Sequence, residues 1–233
     1  MSNARRPAEF DAFAWNYDAG MADPLKRLVG QSAEVFVEHK ADWLLRNRPP
    51  AGRLLDFGCG TGSFLRVLRR SGRPLELAGC DVSGGMIEAA RRDWDAGSPP
   101  AWHVLEPGPL PFADGAFDVV TMSNVLHHVE PASRPPAVRE LLRIVRPGGM
   151  VVVFEHNPCN PLTRWIVARA PIDANAELLS SAACVQLLRG AGAVRCEAAY
   201  ILFFPPRFRR LWALERFLSA VPVGAQYVVT ATR

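Results

Sequence analysis

Residues 54–62 read LLDFGCGTG, a short apolar run that ends in an acid and three alternating glycines. Glycines at these positions let the backbone approach a ligand closely, because a Cβ would clash or could not take the required dihedral angles. The pattern therefore indicates a nucleotide-type ligand. It differs from the G-x-G-x-x-G of dinucleotide binders, since position 63 is serine and Asp56 precedes the glycines. A carboxylate at position 56 would repel a pyrophosphate and suit a cationic amino acid group.

Asp81 lies 19 residues after Gly62, at the end of a second apolar segment. In doubly wound folds an acid at this position accepts hydrogen bonds from ribose hydroxyls. The alternative is that Asp81 caps the helix that follows, because aspartate is favoured at helix N-termini. Ser83 can make that cap instead, so we favour the ribose role.

Polar residues also follow the predicted fourth strand. Ser123 and Asn124 stand at its carboxyl end, where open α/β sheets bind ligands. His127 and His128 come next, and a histidine pair near a helix start is as consistent with a structural role as with a catalytic one.

His156 follows the predicted fifth strand and is the candidate general base, with Glu155 behind it. The alternative, which the sequence leaves level with the first, is that His156 and Asn157 tie down the loop that comes after them.

The elements that must position these residues alternate along the chain. Strands are predicted at 53–57, 75–81, 101–105, 117–123 and 150–155, and helices at 64–70, 85–94 and 137–145. Apolar strands separated by helices indicate a parallel sheet covered on both faces. After a predicted helix at 180–189, a strand-like stretch at 194–204 and a final strand at 226–232 predict an antiparallel edge, with a basic, apolar helix at 207–218 between them.

Composition is typical of one globular domain. The chain has 233 residues, of which 49% are hydrophobic and 21% charged, and this composition excludes a disordered or collagen-like protein. The formal net charge of +4 is too small to favour nucleic acid as a partner. The amino-terminal segment lacks the apolar region of a secretory signal, and no apolar stretch reaches the 18 residues that would suggest a membrane span. Five scattered cysteines without CxxC or zinc-type spacing predict a reducing compartment, a cytoplasmic location and no metal site.

Four ordered segments resemble the class I S-adenosylmethionine-dependent methyltransferases: LLDFGCGTG, CDVSGGMIEAA, LPFADGAFDVVTMSNVLHHVE and RPGGMVVVFE. The amino-terminal FDAFAWNYD is similar to the entry segment of the branch related to ubiquinone and menaquinone methyltransferases. The stretch 155–164, EHNPCNPLTR, looks like a motif of a bacterial subgroup of poorly defined substrate. The resemblance implies a Rossmann-like, doubly wound α/β domain with seven strands in the order 3-2-1-4-5-7-6.

The resemblance also implies roles for individual residues. Asp56 would lie near the methionine ammonium group, Asp81 would hold the ribose, and Glu106 would accept the adenine amino group. The floor beneath the cofactor and the packing around the adenine would come from Gly58, Cys59, Gly60, Val82 and Met86. The chain departs from the family at Pro107, which has no N–H to offer an adenine nitrogen, so this contact could shift to Leu105 or to a water. Of the two adjacent histidines, the resemblance favours His128 as catalytic.

The sequence divides into amino-terminal cap helices at 1–50, a cofactor-binding core at 51–156, a substrate lid at 157–179 and carboxyl-terminal helices and strands at 180–233. The segment 157–179 is long for a connection, and long connections are often lids or binding elements. Candidate acceptor contacts are Tyr17, Arg164 and Trp165, although Trp165 can equally belong to the core. The 207–218 helix fits an amphipathic helix packed on the sheet better than a membrane-surface helix.

We therefore predict a cytoplasmic methyltransferase, a monomer or homodimer, that needs no metal. It would convert S-adenosylmethionine to S-adenosylhomocysteine while methylating a small biosynthetic metabolite on oxygen, nitrogen or carbon. A prenylated or glycosylated lipid at a membrane surface is the second candidate acceptor. A noncatalytic S-adenosylmethionine-binding protein and an NAD-dependent oxidoreductase are the alternatives from other classes, and fold analogy alone does not choose among them.

Overall fold

The computed structural model describes residues 33–233. One seven-stranded sheet forms its centre, with the strands in the order β3-β2-β1-β4-β5-β7-β6. The strands are β1 Gly52–Phe57, β2 Leu75–Asp81, β3 Ala101–Val104, β4 Phe117–Ser123, β5 Val145–His156, β6 Arg195–Ile201 and β7 Gln226–Thr232. The first five strands are parallel and β7 runs antiparallel to both β5 and β6, so the predicted fold class and strand order are confirmed.

Helices cover both faces of the sheet. They are α1 Ala33–Asn47, α2 Ser63–Arg70, α3 Gly84–Arg92, α4 Arg134–Ile144, α5 Pro161–Val167, α6 Ser181–Gly190 and α7 Glu215–Leu218. Short 3-10 helices lie at Leu126–His128, Pro131–Ser133, Pro171–Asp173 and Pro206–Leu214. None of the helices within residues 33–233 is long and apolar enough to cross a membrane.

Alternate residues of each central strand enter two separate cores, because successive side chains of a strand point to opposite faces. Leu54 packs with α1 and α2 on one face, whereas the adjacent Leu55 packs with α4 and α6 on the other. Val119 and Val120 divide in the same way. The strands are therefore buried on both sides, as their continuous apolar sequences predict.

Strand β5 begins five residues earlier than the sequence predicts. The RPGG segment at 146–149 is part of the strand. Val145 pairs with Phe117 before an irregularity shifts the register, and Gly149 O accepts a hydrogen bond from Arg233 N. Neither partner is near the turn in sequence.

The segment predicted as a helix at 207–218 is helical but is not one continuous α-helix. A 3-10 segment kinks at Phe208, whose backbone angles are non-helical, and only Glu215–Leu218 is α-helical. Four apolar side chains of this segment are exposed, namely Phe208, Leu211, Leu214 and Phe217, and Phe217 retains 71% of its accessible surface. Trp212 instead packs edge-on against His39, with 4.3 Å between the ring centroids. Glu215 explains the break: its buried carboxylate accepts hydrogen bonds from the backbone N–H groups of residues 202–204, which precede the segment.

Candidate functional site

A cavity of about 640 Å³ opens where the parallel strands end. Its walls come from α1, the glycine loop (residues 58–62), the ends of β2, β4 and β5, and residues 163–173 around α5. This is the edge at which doubly wound sheets bind ligands, because the loops after neighbouring strands converge there.

The glycine loop takes a conformation that requires glycine. Gly58 has φ +71°, and a Cβ built on it would lie 2.4 Å from Val125 Cγ2. Gly60 also has positive φ, but a Cβ there would meet nothing within 4 Å. The N–H groups of Gly58 and Cys59 both donate to Cys80 O, at 2.8 and 3.0 Å, so the loop is pinned to β2. Gly60 therefore borders open space in the cavity, with its bare backbone facing the ligand volume.

Asp81 braces the same loop. One carboxylate oxygen accepts from Gly60 N at 2.9 Å and the other from Ser83 N at 2.9 Å. Ser83, not Asp81, caps helix α3, since its hydroxyl oxygen accepts from Met86 N at 3.1 Å. Asp81 also lines the cavity.

Asp56 and Lys40 place opposite charges in the wall of the cavity. Asp56 accepts a hydrogen bond from Thr121 Oγ1 at 2.7 Å, and Lys40 Nζ donates to Ser123 Oγ at 2.9 Å. Burial raises the pKa of Asp56 to about 7 and lowers the pKa of Lys40 to about 8, because the charged form of each is poorly solvated. A zwitterionic amino acid group would supply both with a counter-charge.

Glu155 is fully buried and orients His127 rather than His156. Its Oε1 accepts from Val125 N and Leu126 N at 3.0 and 2.7 Å, and its Oε2 lies 2.5 Å from His127 Nδ1. Burial opposes a charge on this imidazole, but the adjacent carboxylates of Glu155 and Asp173 outweigh burial and raise the pKa of His127 to about 9.

Asp173 joins the two adjacent histidines. Its Oδ1 lies 3.4 Å from His127 Nε2 and 3.4 Å from His128 Nε2. Burial would raise the pKa of Asp173, but the imidazoles of His127 and His128 hold it well below its usual range. The cluster of His127, His128 and Asp173 lines the cavity on the side of α5.

His156 is buried in the cavity wall and is neutral. Burial, with a smaller contribution from the charge on His127, lowers the pKa of His156 to about 3. Its Nδ1 is 3.4 Å from Gln226 Nε2. Donation from this amide to Nδ1 would leave the proton of the neutral imidazole on Nε2. His156 lines the cavity in this neutral form.

Comparisons with known proteins agree with this geometry. Residues 55–153 match the family model of a methyltransferase domain. Over 149 residues the chain is 34% identical to a ubiquinone/menaquinone biosynthesis C-methyltransferase of Desulfotalea psychrophila, an alignment covering 64% of this chain and 57% of the relative. It is also 34% identical over 137 residues to a demethylmenaquinone methyltransferase of Thermus thermophilus, covering 58% of this chain and 61% of the relative.

Residues 55–153 form a methyltransferase domain. The predicted recognition and cofactor are thereby confirmed. The chain spans less than two thirds of the length of either relative. A solved methyltransferase of Thermotoga maritima, described as SAM-dependent and a possible histamine N-methyltransferase, has the same fold, with a TM-score of 0.67 and 23% identity over 96% of this chain and 97% of that one.

Most residues predicted for the methyltransferase site lie in the wall of the one cavity described above. These are Asp56, Gly58, Cys59, Gly60, Asp81, Val82, Met86, Ser123, Asn124, His128 and His156. The cavity fits the cofactor, because the bare Gly60 backbone, a buried acid–lysine pair and a strand-end acid match the adenosyl and amino acid ends of that molecule.

Other predicted residues lie elsewhere. Glu106 is exposed and outside the cavity wall, whereas Leu105, the alternative contact, is buried in it with its N–H bound to Asp81 O at 2.8 Å. Arg164 and Trp165 are exposed on the outer side of α5, where the guanidinium of Arg169 stacks 4.2 Å from the Trp165 ring. Neither Arg164 nor Trp165 lines the cavity, and Trp165 is not in the core. Tyr17 lies outside the described residues.

Sequence reasoning missed Lys40, Asp173 and Gln226, all of which line the cavity. Lys40 carried one available signal, since it is one of two lysines in an arginine-rich chain and interrupts an otherwise helical apolar pattern. Asp173 stands in a proline-rich segment 45 residues after His128, and no motif spacing connects the two.

Proposed function

We propose that this chain transfers the methyl group of S-adenosylmethionine to a small-molecule acceptor. The observation that carries the proposal is one cavity with two chemically different ends. The glycine loop with Asp56 and Asp81 forms one end, and histidines with the α5 segment form the other. A volume of about 640 Å³ is in the range of small-molecule sites.

The cofactor end has a residue for each part of the molecule. Asp56 would hold the ammonium group and Lys40 the carboxylate, so that both buried charges gain a partner. Asp81 would hold the ribose hydroxyls. Val82, Met86 and Leu105 supply an apolar surface for the adenine. The Lys40 assignment adds to the roles predicted from the sequence, and Leu105 replaces Glu106.

The chain's main task is orientation. When bound, S-adenosylmethionine supplies an electrophilic methyl group on a sulfonium that is already a good leaving group. The protein residues must therefore hold the acceptor in line and exclude water, which makes positioning the dominant contribution. Thr163, Ile166 and Val167 of α5 wall the acceptor end, in the segment predicted as a substrate lid.

His156 would position the acceptor through its Nε2–H. We expect His156→Ala to raise the KM for the acceptor and to lower turnover, since a misplaced acceptor loses alignment, while S-adenosylmethionine binding stays unchanged. Steady-state kinetics with calorimetry on the same preparations separate these effects. Turnover and KM equal to those of the unaltered protein would remove His156 from the site.

A lipid acceptor is the second candidate. The segment 206–217 presents exposed Phe208, Leu211, Leu214 and Phe217 among arginines, and the two relatives named above take their names from quinone biosynthesis. Exposed apolar side chains beside cationic ones suit an anionic membrane surface. Flotation with anionic vesicles at low salt tests this, with Phe217→Ser as the matched variant; a protein that stays at the bottom of the gradient with the vesicles present excludes membrane binding.

The proposed activity is tested by the formation of S-adenosylhomocysteine from S-adenosylmethionine in the presence of acceptor panels, with quinols and phenols first. Product that depends on an acceptor and disappears in Gly60→Val supports the proposal, because that side chain would fill the cofactor end. Binding of S-adenosylmethionine without transfer to any acceptor would favour the noncatalytic alternative.

A further inference from the structure

We propose that His127, His128 and Asp173 form a zinc-type divalent metal site at the acceptor end of the cavity. The donor set is two imidazoles and one carboxylate, a combination that binds Zn²⁺ with one coordination position left for water or substrate. The sequence offered no metal-ligand spacing, because Asp173 comes to the histidines only through the fold. We refer to these three residues as the triad.

The distances within the triad fit a metal. Four tetrahedral ligands at about 2.1 Å from Zn²⁺ lie about 3.4 Å from one another. Asp173 Oδ1 is 3.4 Å from His127 Nε2 and 3.4 Å from His128 Nε2, and the three ligand atoms all lie within 4.8 Å. A separation of 3.4 Å is long for a strong hydrogen bond between charged groups, whereas it is the spacing that a shared cation imposes.

His127 is oriented as metal-binding histidines are. Such a residue donates its second ring N–H to a carboxylate, which fixes the tautomer and aims the other nitrogen at the ion. Glu155 Oε2 holds His127 Nδ1 in this way, and the carboxylate is itself fixed by the N–H groups of residues 125 and 126. His127 Nε2 is buried and makes no hydrogen bond of good geometry within the described part of the chain.

The site has an open side toward the cavity. All three residues line it, beside His156 and the α5 segment, so the remaining position of the ion would face the acceptor rather than the protein interior. A metal there would act as a Lewis acid on an acceptor oxygen and would lower the pKa of an acceptor hydroxyl. This role rests on the proposed methyl transfer, but metal binding itself does not.

The test is a calorimetric titration of the metal-stripped full chain with ZnCl₂, together with visible spectroscopy of the Co²⁺ form. We expect one equivalent to bind and Co²⁺ to give the strong visible absorption of a tetrahedral site. Asp173→Asn and His128→Ala should each weaken Zn²⁺ binding about tenfold or more, and both avoid leaving buried Glu155 without its partner. His103→Ala and Cys159→Ser, a histidine outside the cavity and an exposed thiol, should bind as the unaltered chain does.

Two results would overturn the site. One is the absence of saturable binding at one equivalent, which would leave the triad as an ion-pair network alone. The other is Zn²⁺ binding that the triad variants do not change. S-adenosylmethionine titrated into the same stripped protein separates this failure from a failure of the proposed function, because cofactor binding does not involve the triad.

Discussion

Asp56 is buried, so its ionised form is unfavourable until a ligand supplies an opposite charge. Its pKa is raised to about 7 by burial, so in the folded protein it holds a proton that the unfolded chain releases near pH 4. Proton binding to Asp56 therefore stabilises the folded protein at low pH, and this stabilisation is lost as the pH rises through about 7. A residue that destabilises the empty protein at neutral pH is typical of a binding group.

Asp56→Asn should separate binding from stability. The amide oxygen can still accept from Thr121 Oγ1, so the variant removes the charge and keeps the hydrogen bond. We expect a free energy of unfolding higher by at least about 1 kcal/mol at pH 8, a difference that shrinks as the pH falls toward 4. S-adenosylmethionine binding should weaken. Urea denaturation across this pH range with parallel calorimetry measures both, and a variant of equal stability at pH 8 would contradict the assignment.

Lys40 is tested by removing its proposed partner from the ligand. Lys40→Met should weaken S-adenosylmethionine binding about tenfold or more, since a buried charge-assisted contact is lost. The variant and the unaltered chain should have the same affinity for decarboxylated S-adenosylmethionine. Equal weakening for both ligands would mean that Lys40 shapes the cavity, through Ser123, and does not meet the carboxylate.

At the scale of elements, two glycines of the glycine loop are required for different reasons. Gly58 must pass Val125, whereas Gly60 borders the open cavity. Both have positive φ, which costs a residue with a Cβ about 1–2 kcal/mol.

Gly58→Ala and Gly60→Ala should therefore differ. Thermal unfolding should show the larger destabilisation in Gly58→Ala, because its Cβ also overlaps Val125 Cγ2, and adding Val125→Ala should restore part of that loss. Gly60→Ala should lose more cofactor affinity than stability, because its Cβ enters the ligand volume. Normal binding of S-adenosylmethionine by Gly60→Ala would contradict the position of Gly60 beside the ligand.

The elements also show what the sequence can predict. Strands β2, β4 and β7 have the predicted bounds, because continuous apolar runs and flanking turns are local signals. At 207–218 the sequence predicts helical character but not the division of the segment. The contacts of Glu215 with residues 202–204 and the kink at Phe208 depend on the fold and leave no local signal.

At the scale of the whole molecule, the cavity joins segments that are far apart in sequence. Its cofactor end follows from the glycine loop and Asp81, which lie within one motif and one strand, so the sequence predicts most of that end. Its acceptor end needs Asp173 beside His127 and Gln226 beside His156, and these pairs are 46 and 70 residues apart. No periodicity indicates such pairs, and the sequence therefore left the base role of His156 level with a structural role in the loop after β5.

The most direct test of the central claim is calorimetric titration of the purified chain with S-adenosylmethionine, S-adenosylhomocysteine and NAD in parallel. A site built from the glycine loop, Asp56, Asp81 and Lys40 should bind one equivalent of each adenosyl sulfur compound in the micromolar range and should not bind NAD. Binding of NAD alone, or of none of the three, would contradict the account.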